Sequence, residues 1–165
     1  MKRFFSLISV MTMLFVASCT PKSKIYEFTV QDAEGQQVSL SDYKGKVLLI
    51  VNTASHCGFT PQYDELEAMY KELSADGFEI LDFPCNQFGA QAPESDAEYV
   101  NFCRVNYNTE FKQFHKIDVN GENEIPLYTY LKQEQGFSGF DKDHPLTEIL
   151  ENMFDNNMPG WRENS

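Results

Sequence analysis

Cysteine and histidine are the residues of this sequence best suited to nucleophilic or metal chemistry. They stand at Cys19, Cys57, Cys85, Cys103, His56, His115 and His144. No two cysteines form a Cys-x-x-Cys pair, and the spacing of the cysteines and histidines fits no zinc site. We therefore expect thiol chemistry without a metal or another cofactor.

Cys57 lies in a short loop between a predicted strand and a predicted helix. The five apolar residues 47–51, three of them β-branched, predict a strand that is covered on both faces. Thr60 can cap the first amides of a helix, and Pro61 suits the first helical position. Cys57 would then precede a helix N-terminus, where free amides and the helix dipole favour a thiolate. These features make Cys57 the candidate nucleophile.

The residue three positions after Cys57 separates two kinds of thiol chemistry. A disulfide exchanger of the Cys-x-x-Cys type needs its second cysteine where this chain has Thr60. Rapid local dithiol exchange is therefore unavailable to Cys57. The spacing favours peroxide reduction with a distant partner cysteine. A buried, inert thiol is the alternative interpretation.

Hydrophobic periodicity and turn residues predict an α/β fold around this loop. We expect strands at 26–30, 38–40, 47–51, 78–83 and 111–119, helices at 61–75 and 95–107, another helix from Pro126, and an amphipathic segment at 146–154. Gly77 should end the first helix, and Ser95 with Glu98 forms a capping box for the second. A strand, a helix and a strand with short links predict a right-handed βαβ unit with parallel strands. The loops after its two strands should then face each other.

Size and charge restrict the possible functions. A chain of 165 residues is long enough for one domain with a substantial core. Its formal net charge of -12 disfavours binding to nucleic acid or anionic lipid, since both would repel it.

The N-terminus is typical of an exported lipoprotein. Lys2 and Arg3 precede a short apolar run, and the residues 16–19 (Val-Ala-Ser-Cys) resemble a bacterial lipobox. The resemblance implies a signal peptide at 1–18, lipid attachment to Cys19, a tether at 19–24 and one domain at 25–165. We therefore predict a location in the bacterial cell envelope, lipid-anchored and facing the periplasm. An ordinary signal peptide with an incidental cysteine is the alternative. Three further cysteines in an exported chain indicate redox chemistry rather than a disulfide framework.

Three motifs in the body of the chain resemble the glutathione peroxidase family, which has a thioredoxin-like fold. They are VNTASHCGFTPQY at 51–63, FPCNQFGAQAP at 83–93 and KIDVNGENEIPLYTYLK at 116–132. Their order and separation match the family from Tyr26 to about Leu131. The resemblance implies a central mixed sheet flanked by helices.

The same resemblance assigns roles to four residues. Cys57 matches the peroxidatic position, Gln91 matches the glutamine of the active-site cluster, and Cys103 matches the resolving cysteine of the thioredoxin-dependent branch. Cys85 matches a cysteine that the family does not generally need for catalysis. The implied partners are a peroxide substrate and, as reductant, a thioredoxin-like dithiol protein or glutathione.

The sequence departs from the family pattern in two places. Ala92 and Glu94 replace residues that are often glutamate and glycine, and both lie beside Gln91. The family's WNFTKFL motif, whose tryptophan and asparagine complete the catalytic cluster, does not occur before the chain ends at Ser165. Trp161 is followed by Arg162 and does not match that motif. We therefore expect the domain to lack the family's C-terminal strands and helix.

Activation of Cys57 needs more than a helix end. A free thiol titrates near ~8.5, and a helix N-terminus contributes about 0.3–1 kcal/mol and at most ~2, which lowers the pKa by roughly one unit at ~1.4 kcal/mol per unit. Hydrogen-bond donors are therefore required, and Gln91 is the donor that the sequence supplies. His56 should contribute little, because adjacent side chains usually point apart. Cys103, on a predicted helix, could reach Cys57 only if that helix unwinds locally.

The leading hypothesis is a thiol peroxidase that acts on hydrogen peroxide or on organic and lipid hydroperoxides, in response to oxidative stress. It would form a sulfenic acid and then an intramolecular disulfide. A non-catalytic remnant or binding lipoprotein is one alternative, and a thiol–disulfide oxidoreductase is another. Core packing is the alternative for Cys103, and it is the preferred interpretation for Cys85.

Overall fold

A parallel sheet and an antiparallel hairpin organise the computed structural model, which describes residues 23–157. The strands are β1 Thr29–Gln31, β2 Gln37–Ser39, β3 Val47–Thr53, β4 Phe78–Pro84 and β5 Lys112–Gln113. Strands β1 and β2 pair antiparallel, and β3, β4 and β5 form a parallel sheet in that order. An antiparallel bridge between Asp32 and Phe114 joins the hairpin to this sheet. The predicted α/β fold with parallel pairing across a βαβ unit is confirmed.

The described residues form four α-helices, of which the first three contribute side chains to the cores on the two faces of the sheet. They are α1 Tyr63–Leu73, α2 Asp96–Tyr107, α3 Pro126–Glu134 and α4 Thr147–Asn157. The capping box forms as predicted, because Ser95 and Glu98 each bond the other's backbone amide. A short 3-10 turn at Ser74–Asp76 follows α1 and ends at Gly77, whose φ of 90° is the left-handed conformation that favours glycine. No helix among residues 23–157 combines the length and apolar character needed to cross a bilayer.

The strand predicted at residues 47–51 forms, and its alternate residues pack against the cores on both faces of the sheet, but it is only partly buried. Strand β3 lies at an edge of the three-stranded sheet, and its side chains are half-buried or exposed. Val47 is 68% exposed. The central strand is β4, which is buried from Glu79 onward. An apolar run reports affinity for a core but not the position of the strand in the sheet.

Two other predicted strands differ in extent. Residues 24–27 form a 3-10 turn, so the first strand begins at Thr29. The predicted strand at 111–119 is regular only at Lys112–Gln113. Beyond it, the Lys116 amide donates to the Asp96 carboxylate at 3.0 Å and does not continue the backbone pairing with β4. The start of α2 therefore competes with β4 for the backbone of this segment.

Alternate residues of β4 face two separate cores. Leu81 and Phe83 point toward the face that contains Phe114 and α3. Ile80 packs on the opposite face, between α1 and α2, with Tyr99. The second core lies beneath the loop that carries Cys57. The predicted signal peptide, the lipidation site Cys19 and Trp161 lie outside the described residues, and so do all but the last two residues of the predicted tether at 19–24. The signal peptide, the lipid attachment and the tether stay predictions.

Candidate active site

A closed turn holds the backbone of Cys57 just beyond β3. The Cys57 amide donates to Thr60 Oγ1 at 3.0 Å, and the Thr60 amide donates back to the Cys57 carbonyl at 3.1 Å. The Thr60 hydroxyl donates to the Ala54 carbonyl at 2.8 Å. One buried threonine therefore ties together both ends of the loop. The Cys57 side chain itself is half-buried.

The predicted capping role of Thr60 is wrong. Helix α1 begins only at Tyr63, after a 3-10 turn at Thr60–Gln62, and no side chain caps it. The Thr60 hydroxyl is already engaged with Ala54, so it serves the loop instead. The Phe59 amide is the backbone donor to Cys57 Sγ, at 3.5 Å. Among the described residues, this single backbone hydrogen bond is the support available to a thiolate at Cys57, so another donor is still needed.

Replacement of Thr60 with valine is expected to destabilise the domain by about 1–3 kcal/mol. The change keeps the shape of the side chain but leaves the part-buried Cys57 amide and Ala54 carbonyl without their partner. Urea unfolding measures the difference. Thr60→Ser keeps the hydroxyl and is the matched control. Equal stability of the two variants would contradict this role.

A cavity of about 210 Å³ opens beside Cys57 at the carboxyl end of β3. Its lining includes Thr53, Cys57, Tyr63, Cys85, Phe88 and Gln91. The cavity thus brings together the loops that follow β3 and β4, as the βαβ topology predicts. Cys57 and Gln91, two of the three predicted catalytic residues, meet in it.

Main-chain contacts attach Gln91 to the Cys57 loop. The Gln91 carbonyl accepts from the His56 amide at 2.9 Å and lies 3.2 Å from Ser55 Oγ. The Ala92 amide donates to Asn86 Oδ1 at 2.8 Å, which closes the intervening loop. The amide side chain of Gln91 lines the cavity, and within the described part of the chain no hydrogen bond joins it to Cys57. It can therefore turn toward a ligand.

Glu94, one of the departures from the family pattern, fastens the two loops together. Its carboxylate accepts from the Ser55 hydroxyl at 2.7 Å and contacts His56 Nε2 at 2.7 Å. Burial would raise the pKa of Glu94, but the bonds from Ser55 and the proximity of His56 hold this pKa below its usual value. The His56 ring therefore faces a carboxylate. This contact agrees with the small role expected of His56 toward Cys57.

Cys103 lies apart from the cavity. It has no exposed surface, and on the buried side of α2 it belongs to the same core as Tyr63, Ile80 and Tyr99. Burial, and after it the charge of Asp82, raises the pKa of its thiol to about 12. In this conformation Cys103 is a neutral core thiol, and Cys57, Cys85 and Cys103 are all free.

Gln87 fixes one loop of the site, and two phenylalanines form an apolar rim of the cavity. Gln87 holds its loop by accepting from the amides of Val119 and Asn120, at 2.9 and 3.0 Å. Phe59 and Phe88 line the cavity and are 53% and 49% exposed. The two phenylalanines of this apolar rim were not among the predicted site residues, although each lies within three residues of a cysteine, histidine or glutamine of the motifs.

Fold and site together define an α/β protein with a half-buried free thiol beside a cavity at the carboxyl end of a parallel sheet. The family model for glutathione peroxidase matches residues 25–132. The chain therefore belongs to the glutathione peroxidase family. The thioredoxin-like fold expected from the resemblance is confirmed with it.

Curated relatives agree with this assignment. A glutathione peroxidase homolog of Neisseria meningitidis is 59% identical over 108 residues, which cover 66% of this chain and 61% of the relative. The chain thus spans less than two thirds of the length of that relative. A glutathione peroxidase-like peroxiredoxin of Saccharomyces cerevisiae is 53% identical over 118 residues, which cover 71% of this chain and 72% of the relative.

Two solved structures are similar as well. The crystal structure of Trgpx in apo form has a TM-score of 0.56 at 41% identity and covers 71% of this chain and 69% of its own. The T. cruzi GPX1 structure has a TM-score of 0.53 at 36% identity and covers 71% of this chain and 72% of its own.

Proposed function

We propose that this protein is a thiol peroxidase that reduces hydroperoxides at Cys57. The observation that carries the proposal is the placement of Cys57 and Gln91 in one open cavity beyond β3. A nucleophilic thiol can attack one oxygen of an O–O bond, and an amide donor can support the oxygen that departs. The family names of the relatives support this class of activity.

The first step converts a thiolate to a sulfenic acid. Cys57 Sγ attacks one peroxide oxygen, the S–O bond forms and the O–O bond breaks. The sulfur is oxidised by two electrons, and the departing oxygen takes a proton to leave as water or an alcohol. The Gln91 amide can donate to the departing oxygen, where negative charge develops.

The second step joins Cys57 to Cys103. The Cys103 sulfur attacks the sulfenic sulfur, an S–S bond forms, and hydroxide leaves with the thiol proton as water. A dithiol protein, or two glutathione molecules, then reduces the disulfide to two thiols. Since the Cys103 side chain is fully buried on the inner side of α2, this helix must first unwind or move away from the sheet.

The rim of the cavity favours organic hydroperoxides as substrates. Phe59 and Phe88 expose apolar surface beside Cys57, and contact between such surface and an alkyl chain is favourable because it removes both from water. One relative, from Arabidopsis thaliana, is named a probable phospholipid hydroperoxide glutathione peroxidase; it is 52% identical over 121 residues. We infer that alkyl hydroperoxides react at least as well as hydrogen peroxide.

A single-turnover experiment tests the function. The reduced protein is mixed with one equivalent of cumene hydroperoxide or hydrogen peroxide, and free thiols are then counted by alkylation and mass spectrometry. We expect two thiols to disappear for each peroxide consumed, with a sulfenic acid as intermediate. Unchanged thiols would exclude peroxidase activity, and reduction of insulin disulfides at catalytic concentration would indicate an exchanger instead.

Replacement of Gln91 with alanine is expected to slow the first oxidation of Cys57 by roughly 10–100-fold, the value of one hydrogen bond to a charged group. Stopped-flow oxidation at several peroxide concentrations gives the rate constant. Asn86→Ala is the control, since Asn86 closes the same loop through its bond to Ala92 but does not line the cavity. A larger loss in the control than in Gln91→Ala would assign the effect to loop structure.

A further inference from the structure

A buried carboxyl group that the proposed chemistry does not use lies between Cys57's cavity and Cys103. Asp82, in the middle of β4, has no exposed surface. Its two oxygens accept from the Thr53 hydroxyl at 2.5 Å and from the Tyr63 hydroxyl at 2.7 Å. The Gln113 side chain adds a third hydrogen bond. Buried carboxyl groups are rare in cores and usually have a partner of opposite charge.

Helix α2 takes part in the same hydrogen-bonded group. The Tyr99 hydroxyl donates to Thr53 Oγ1 at 3.0 Å and lies 3.0 Å from the Tyr63 hydroxyl. We call Thr53, Tyr63, Asp82, Tyr99 and Gln113 the Asp82 cluster. Thr53 and Tyr63 also line the cavity beside Cys57. Tyr99 lies one helical turn before Cys103, so the cluster fastens to the sheet the turn of α2 that carries this cysteine.

The groups around Asp82 are neutral. Tyr63 faces it from α1, and Tyr99 and Cys103 face it from α2. The charge of Asp82 also reaches Tyr128, which packs on the opposite face of β4. Burial, and after it the charge of Asp82, raises the pKa of each of these groups. Within residues 23–157 no lysine, arginine or histidine forms an ion pair with Asp82. Asp82 is therefore the group of this cluster that loses its proton at the lowest pH.

We propose that Asp82 is a positioning residue for the resolving step, which holds α2 on the sheet when protonated and favours its release when ionised. The proposal rests on the proposed role of Cys103. When α2 lifts, the Asp82 carboxylate gains hydration that it lacks in the closed form, while a neutral carboxyl gains much less. The protonation state of Asp82 thereby sets how often Cys103 can reach an oxidised Cys57.

The direction of the effect follows from linkage. Burial raises the pKa of Asp82 from 3.8 to about 6, and the three hydrogen bonds only partly oppose it. A carboxyl group whose pKa is raised in the closed form binds protons more tightly there than in the open form. Low pH therefore stabilises the closed form, and this stabilisation is lost as pH rises through about 6.

The decisive experiment compares the resolving step in the wild type and in Asp82→Asn. Asparagine stays neutral, so its effect on α2 does not change with pH. After rapid oxidation of Cys57 by peroxide, disulfide formation is followed by acid quenching and mass spectrometry. Between about pH 5 and about pH 7.5 the buried Cys103 thiol stays protonated in both proteins, because burial, the larger cause of its raised pKa, is the same in each, so the ratio of their rates reports on Asp82. We expect the ratio of wild type to Asp82→Asn to rise about tenfold between about pH 5 and about pH 7.5.

Tyr99→Phe is the structural control. It removes the bond to Thr53 but leaves Asp82 able to titrate, so its rate should differ from wild type by a factor that is constant with pH. A constant ratio for Asp82→Asn as well would overturn the proposal, because a merely structural role changes the rate without changing its pH profile.

Hydrogen exchange of the unaltered protein tests the same proposal without a variant. The protection of α2 amides, relative to α3 amides, should fall as pH rises through about 6. A flat ratio would overturn the proposal even if Asp82→Asn failed to fold. If the wild type forms no disulfide, the resolving role of Cys103 fails, and the exchange measurement alone then decides whether Asp82 controls α2.

Discussion

Replacement of Cys57 with serine is expected to lower the rate of peroxide consumption by at least about 10³-fold. A serine hydroxyl has nearly the same size as the thiol but does not ionise near neutral pH and is a poor nucleophile toward peroxide. The loop should persist, since the Cys57 backbone is held by its bonds to Thr60. A coupled assay with an alkyl hydroperoxide and a dithiol reductant measures the loss.

Cys85→Ser is the matched control for this experiment. Cys85 lines the same cavity but is 1% exposed and belongs to the core on the other face of β4. Its replacement should therefore leave peroxide consumption within a few-fold of wild type. If the Cys85 variant lost activity and the Cys57 variant kept it, the nucleophile would be misassigned.

Replacement of Cys103 with serine is expected to separate the two halves of the reaction. Reaction of Cys57 with the first equivalent of peroxide should stay close to the wild-type rate, because Cys103 does not line the cavity. Continued turnover with thioredoxin should fall by at least about 10²-fold, since no resolving thiol is available to form the disulfide. Dimedone labelling should then trap a persistent sulfenic acid at Cys57.

The Cys103 experiment needs a check of folding, because the side chain is fully buried. Serine at this position keeps a hydroxyl within reach of Tyr63, which is a neighbour of Cys103 in the same core. Urea unfolding should show a loss of about 1–2 kcal/mol or less, so the domain stays folded. Undiminished thioredoxin-dependent turnover in a folded Cys103→Ser protein would exclude the resolving role.

Local sequence determined the elements that frame the site. The capping box of Ser95 and Glu98 and the end of the first helical segment at Gly77 depend on contacts among neighbouring residues, so their patterns predicted them. The parallel pairing of β3 and β4 followed from the length of the connection between them. For the same reason, the meeting of Cys57 with Gln91 at one edge of the sheet followed from topology.

Packing decided what local patterns left open. Thr60 could cap a helix or hold a loop, and the nearby Ala54 carbonyl selected the loop. The apolar residues of β3 were compatible with a central or an edge strand, and the neighbours of β4 made β3 an edge. In both cases the deciding partner belongs to another element or to the opposite end of the loop.

The sequence by itself determined that Cys57 lies in a strand–loop–helix segment beside a motif that carries Gln91. Only the tertiary structure determined that Asp82 lies between the cavity and Cys103. The hydroxyl donors to Asp82 are 29 residues before it, at Thr53, and 19 residues before it, at Tyr63. No local periodicity predicts hydrogen bonds over such separations, because they form only when α1 and α2 pack on the sheet. This packing excludes water from the Asp82 carboxylate.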